Sequence, residues 1–171
     1  MTFDELNSLE GGKAAKWFEQ CCASTKWVNS MVDARPYANI NEVKIQAKEA
    51  WATCGREDVL AAFKAHPMIG NVESLRKKFE NTKAIAAGEQ SGASKASEDT
   101  LHDLKNGNIE YLNKHGFIFI ICATGLSAET MLGELNKRLP NNTNEEIRIA
   151  AEEQLKITLL RLSKALDETL A

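Results

Sequence analysis

The stretch Phe117-Ile118-Phe119-Ile120-Ile121-Cys122 is apolar at every position. On its own it has the form of a buried strand. A strand needs a ladder partner, and no second equivalent run in the chain offers one. It is therefore read as a buried extended link or helix start in an otherwise helical protein. Upstream, Leu101, Leu104, Ile109 and Leu112 predict a helix that ends near His115-Gly116, with glycine in the position just past the helix end. Downstream, Ser127 starts a helix carrying Met131, Leu132, Leu135 and Leu139, and Pro140 stops it. Thr143-Asn-Glu-Glu146 has the form of a capping box. It opens a long final helix to about Asp167, with Ile147, Ala151, Leu155, Leu159, Leu162 and Leu166 as its apolar stripe.

The N-terminal half carries the same helical period. Trp17, Phe18, Cys21 and Cys22 share one face, and Ser24 is placed to cap a turn containing Trp27, Val28, Met31 and Val32. Asn39-Ile-Asn-Glu42 signals a helix to about Cys54. A further helix runs from about Arg56 to Ala65, and a short one is predicted from Glu73 to Phe79. Ala84 to Ala96, rich in Ala, Gly and Ser, suits a loop or irregular helix whose small residues would let backbone N–H groups approach a ligand. The expectation is an all-α, single-domain, compact helical bundle over residues 1–171 with a long C-terminal helix.

Composition excludes several function classes. Hydrophobic residues at 43% and charged residues at 26% are ordinary for a soluble globular protein. A net charge of −3 argues against a nucleic-acid partner, which usually needs a basic face. No apolar run approaches the roughly 20 residues that span a bilayer, and neither end reads as a signal peptide or peroxisomal address. A cytoplasmic protein is the simplest reading. Cys21, Cys22, Cys54 and Cys122 form no C-x-x-C pair, which argues against a zinc site. There is no phosphate loop and no dinucleotide fingerprint, so no cofactor is expected. His102 and His115 lie in polar helical sequence and read as solvated.

Four positions carry candidate chemistry. Val59-Leu-Ala-Ala-Phe-Lys-Ala65 is closed by His66-Pro67-Met68-Ile69-Gly70. Proline disfavours the α region for the residue before it, so the helix should end at His66. An imidazole fixed there could give or take a proton near neutral pH, though a histidine closing a helix ordinarily caps it or lies at the surface. Glu89 in Gly88-Glu89-Gln90 would ordinarily be a surface carboxylate, while Gln90 has both donor and acceptor atoms for a nitrogen-rich substrate. Arg161, at the edge of the final helix's stripe, either snorkels or offers a planar, permanently charged fork to a carboxylate. Phe119 to Ala123 reads as core whose backbone amides could serve a ligand.

Five blocks occur in order: Ala34-Arg-Pro-Tyr37, Ala65-His-Pro-Met-Ile-Gly70, Gly88-Glu-Gln90 with Gly92-Ala93, Gly116-Phe-Ile-Phe-Ile-Ile-Cys-Ala-Thr-Gly125 and Glu153-Gln-Leu-Lys-Ile-Thr-Leu-Leu-Arg-Leu162. Together with Phe18 to Trp27 they resemble the 2-oxo-4-hydroxy-4-carboxy-5-ureidoimidazoline (OHCU) decarboxylases of urate breakdown. The resemblance runs from about residue 3 to 168. It implies a cofactor-free carboxy-lyase, typically a homodimer, acting on a small ureidoimidazoline to give (S)-allantoin. By motif it implies His66 as catalytic acid/base, with Glu89 and Arg161 also catalytic. It implies substrate contacts from Pro67, from Ala86, Ala87, Gly88, Glu89 and Gln90, from Phe119, Ile120, Ile121, Cys122 and Ala123, and from Arg161. Ala86 stands where many members have serine, which removes a hydroxyl contact. Two rival readings are a helical interaction module without catalysis, and a decarboxylase of a related ureido acid.

Overall fold

A computed structural model describes residues 1–67 and 93–166, with backbone only for 93–97. Among the described residues there are eight α-helices and no strand. The all-α expectation is therefore met among the described residues. The predicted helix Glu73 to Phe79 lies outside the described residues. The chain forms two compact units: Met1–Ala65 with the segment from Ala151 onward, and His66–Ala150.

The first unit holds α1 (Phe3–Ser8), α2 (Gly11–Glu19), α3 (Thr25–Asp33), α4 (Ile40–Ala52), α5 (Arg56–Lys64) and the later part of α8 (Thr143–Ala165). Its helix starts follow local chemistry. Asn39 Oδ1 accepts from the Glu42 amide (3.0 Å), as the sequence predicts. Ser24 precedes α3 but makes no side-chain cap; its hydroxyl lies against Cys54 Sγ (3.9 Å) instead. Phe18, Trp27 and Met31 are fully buried, and Phe18 meets Trp27 and Tyr37 edge-to-face. Indole donors tie helices together: Trp27 Nε1 bonds the Ala47 carbonyl (3.1 Å) and Trp51 Nε1 the Ala151 carbonyl (3.0 Å). Arg35 fastens the chain between helices by donating to the carbonyls of Leu6 (2.9 Å), Leu9 (2.7 Å) and Val32 (3.1 Å). The orphan carbonyls at two helix ends are thereby satisfied.

In the second unit, α6 (Ala93–His115) packs on α7 (Ala128–Arg138). Of the stretch predicted as a loop or irregular helix, Ala93 to Ala96 are helical and open α6, and residues 84–92 lie outside the described residues. Gly116 adopts φ +81° and its amide bonds the Leu112 carbonyl (2.9 Å), the predicted glycine stop. The buried face of α6 is Leu101, Leu104, Asn108, Tyr111 and His115, while Ile109 is 39% exposed. Gly107 permits the close approach to α7, since a Cβ there would sit 2.6 Å from Leu135 Cδ2. Phe117 to Cys122 is an irregular, non-helical link with Phe117, Phe119 and Ile120 buried. Ser127 Oγ accepts from the Thr130 amide (3.1 Å) and starts α7 as predicted.

The start and the stripe of α8 both differ from the sequence reading. Asn142, not Thr143, is the cap: its Oδ1 accepts from the Glu145 amide (2.8 Å). Glu146 does not turn back to the helix end but is completely buried. The buried line along α8 is Glu146, Ala150, Gln154, Thr158, Leu162 and Leu166, one residue round from most of the predicted stripe. Ile147, Ala151, Leu155 and Leu159 are only half-buried. Polar residues occupy the line because each finds partners. The Thr158 hydroxyl donates to the Gln154 carbonyl (2.9 Å) and accepts from Gln154 Nε2 (3.1 Å).

Candidate active site

Helix α5 ends as the His-Pro step dictates. Lys64 is its last residue, Ala65 caps it through the Ala62 and Phe63 carbonyls, and His66 occupies the bend that follows. His66 is half-buried and Pro67 exposed. Ala86, Ala87, Gly88, Glu89 and Gln90 lie outside the described residues. Arg161 is on the exposed side of α8 next to buried Leu162, and its Nη1 donates to the Cys21 carbonyl (3.3 Å). That carbonyl also lies 3.4 Å from the Thr158 hydroxyl. The Cys21 and Cys22 thiols are each pushed up to about 11 by burial, only partly offset by the Arg161 charge at Cys21 and by hydrogen bonds from Ser24 and Thr158 at Cys22. Both remain protonated near neutral pH and are poor nucleophiles.

The Phe119 to Ala123 block is held by a buried polar cluster that the sequence reading missed. Arg138, on α7, donates from Nε to Glu146 Oε1 (2.8 Å) and from Nη1 to the Ile120 carbonyl (2.6 Å). Its guanidinium lies 4.5 Å from the centre of the Phe119 ring. Glu146 further accepts from the Tyr111 hydroxyl (2.7 Å) and from Asn141 Nδ2 (2.9 Å). Burial alone would raise the Glu146 pKa, but hydrogen bonds from Tyr111, Asn141 and Arg138 and the Arg138 charge together hold it below the ordinary value. Burial pushes the Tyr111 hydroxyl far up, and its bond to Glu146 adds to this.

His115, expected to be solvated, is 6% exposed. It packs on Tyr111 with ring centres 4.5 Å apart, and its Nδ1 pairs with Thr143 Oγ1 (2.9 Å). Burial lowers its pKa. His102 is exposed, as expected. A signal for the buried cluster was present in the spacing. Arg138 stands at i+7 from Met131 and i+3 from Leu135, on the buried face of α7, and Tyr111 stands at i+7 from Leu104. Among the described residues no group of His, Cys, Asp and Glu is arranged to hold a metal ion, and no helix is long and apolar enough to cross a membrane.

The family model described as OHCU decarboxylase matches residues 7–163. The chain belongs to this family. It is 34% identical, over 149 residues, to a uric acid degradation bifunctional protein of Arabidopsis thaliana, covering 86% of this chain and 46% of that protein. The chain thus spans about half the length of that relative. It also matches a 2-oxo-4-hydroxy-4-carboxy-5-ureidoimidazoline decarboxylase of Haloferax volcanii, at 24% identity over 96% of this chain and 95% of the relative. Among solved structures, a crystal structure of OHCU decarboxylase in the presence of (S)-allantoin superposes with a TM-score of 0.70. It is 35% identical and covers 90% of this chain and 99% of that one.

Proposed function

We infer that this chain decarboxylates OHCU to (S)-allantoin and carbon dioxide in urate degradation. The observation that carries this is the 35% identity to a crystallised OHCU decarboxylase, 99% of which this chain covers. The family match runs from residue 7 to 163, through both units, and supports reading residues 1–171 as one catalytic domain. The protein acts as a homodimer, as the family resemblance implies.

The chemistry follows from the substrate. When the bond to the carboxylate breaks, its electron pair passes into the adjoining carbon–nitrogen system and carbon dioxide leaves. A proton then adds on one face. Because the substrate itself delocalises the charge, the protein's task is orientation and proton control. His66 takes the acid/base role, through the hydroxyl beside the departing carboxylate, and directs the proton that sets the stereocentre. Glu89 and Gln90 fix the ureido arm or the hydroxyl. Arg161 orients the anionic and amide oxygens, directionally rather than with maximal grip, since ground-state binding alone does not accelerate the step. Pro67, Ala86, Ala87 and Gly88 line the substrate, and Phe119 to Ala123 lend it backbone amides.

The test is OHCU generated in situ from urate, followed by circular dichroism. The expected result is accelerated formation of (S)-allantoin over the spontaneous racemic background. Racemic product at the uncatalysed rate refutes the assignment. Turnover of another ureido acid in place of OHCU would favour the second reading that Ala86 keeps open.

A further inference from the structure

We propose that Arg138 is a positioning residue for the decarboxylation, setting the register of the Phe119–Ala123 backbone through the Ile120 carbonyl, with Glu146 as its anchor. This rests on the reading above that the Phe119–Ala123 backbone contacts substrate. The segment has no ladder to hold it, being neither helix nor strand. A buried carbonyl in such a link needs a donor from elsewhere. Arg138 supplies it, and one rigid guanidinium fixes the segment twice: Nη1 grips the Ile120 carbonyl at 2.6 Å, and Cζ lies over the Phe119 ring, 4.5 Å from its centre. Its Nε is in turn held by Glu146 at 2.8 Å.

Glu146 cannot drift, because Tyr111 and Asn141 hold its two oxygens from different directions. The gripped residues Phe119 and Ile120 are buried, whereas Ile121, Cys122 and Ala123 immediately after them are half-buried. A shift at the anchored end is therefore passed directly to the accessible part of the block. Stability alone is a poor reason for this cluster. A buried ion pair is often no more stabilising than apolar side chains of similar volume. What the fork adds over such side chains is a fixed direction for one peptide unit.

The variants are Arg138→Lys, which keeps the charge but loses the fork, and the double variant Arg138→Met with Glu146→Leu, which removes both charges together. Each is assayed with OHCU at 25 °C beside its melting temperature. Misplacement by about 1 Å can cost about 10²-fold, so kcat is expected to fall about 10- to 100-fold in whichever variant remains folded at that temperature. A merely structural role would lower the melting temperature and leave kcat alone.

A measurement on the unmodified protein needs no variant to fold. Saturation with (S)-allantoin is expected to move the NMR signals of the Phe119–Ala123 amides and of the Arg138 Nε–H together. Amides that do not move would overturn the substrate-contact reading and this inference with it. Amides that move while the Arg138 signal stays fixed, or a folded Arg138→Lys protein with kcat within twofold of the unmodified protein, would overturn the positioning role alone.

Discussion

Replacing Glu146 by glutamine tests the buried cluster as a thermodynamic object. The carboxylate is fully buried and receives three donors: Arg138 Nε at 2.8 Å, the Tyr111 hydroxyl at 2.7 Å and Asn141 Nδ2 at 2.9 Å. An amide presents one oxygen and one NH₂, so at least one of these donors would face another donor. The guanidinium of Arg138, in a residue only 6% exposed, would also lose its counter-charge. Breaking a buried pair from one side costs about 3–5 kcal/mol. The Coulomb attraction lost is of the same order, about 4 kcal/mol for charges ~4 Å apart at an effective dielectric of ~20. At about 2–4 °C per kcal/mol for a chain of this size, the melting temperature should drop by about 6–20 °C.

Thermal unfolding followed by circular dichroism at pH 7 reads this directly, and acid titration gives a second check. Because the folded Glu146 pKa lies below the ordinary 4.5, its contribution is complete above that value and is lost as pH falls through the lowered one. Glu146→Gln should flatten that part of the acid limb. A midpoint within about 2 °C of the unmodified protein, corresponding to under about 1 kcal/mol, together with an unchanged acid limb, would refute the reasoning.

Other perturbations reach different parts of the molecule. His66→Asn should fold normally, because the residue follows α5 and is only half-buried, yet lose about 10²–10⁴-fold in rate; near-normal turnover would remove His66 from proton transfer. Arg161→Lys should cut kcat/KM severely even at low salt, whereas a mild loss that grows with ionic strength would mean simple anion attraction. Burial lowers the His115 pKa against the raising effects of the Leu139 carbonyl and the Glu146 charge. The unfolded chain therefore binds the extra proton first, and stability should decline as pH falls from about 6.5 toward the lowered folded value. His115→Phe should abolish that decline, and an unaltered pH profile of the urea midpoint would count against it. Gly107→Ala places a Cβ 2.6 Å from Leu135 Cδ2 and 3.3 Å from its Cγ. Overpacking of about 1–3 kcal/mol should outweigh the helix-propensity gain of about 1 kcal/mol, and a raised melting temperature would show that Leu135 yields freely.

What the sequence determined by itself was whatever is decided within a few residues. The stop after Ala65 comes from Pro67, the start at Asn39 from its own carboxamide, and the stop at Gly116 from a left-handed backbone that glycine tolerates. The lack of a second apolar run to pair with Phe117 to Cys122 argued against a strand there, and the described residues hold none; the family motifs were legible as ordered blocks. Tertiary structure decided which face of a helix is inside once polar residues can be satisfied there. Apolar identity pointed to Ile147, Ala151, Leu155 and Leu159 on α8, yet Glu146, Gln154 and Thr158 are the buried ones. His115 likewise looked solvated among polar neighbours but packs, buried, against Tyr111. A charged or polar side chain goes inward only when partners there complete its hydrogen bonds. For Glu146 those partners are Tyr111, Arg138 and Asn141, drawn from α6, α7 and the turn before α8. No local pattern contains that meeting, and only the folded chain brings it about.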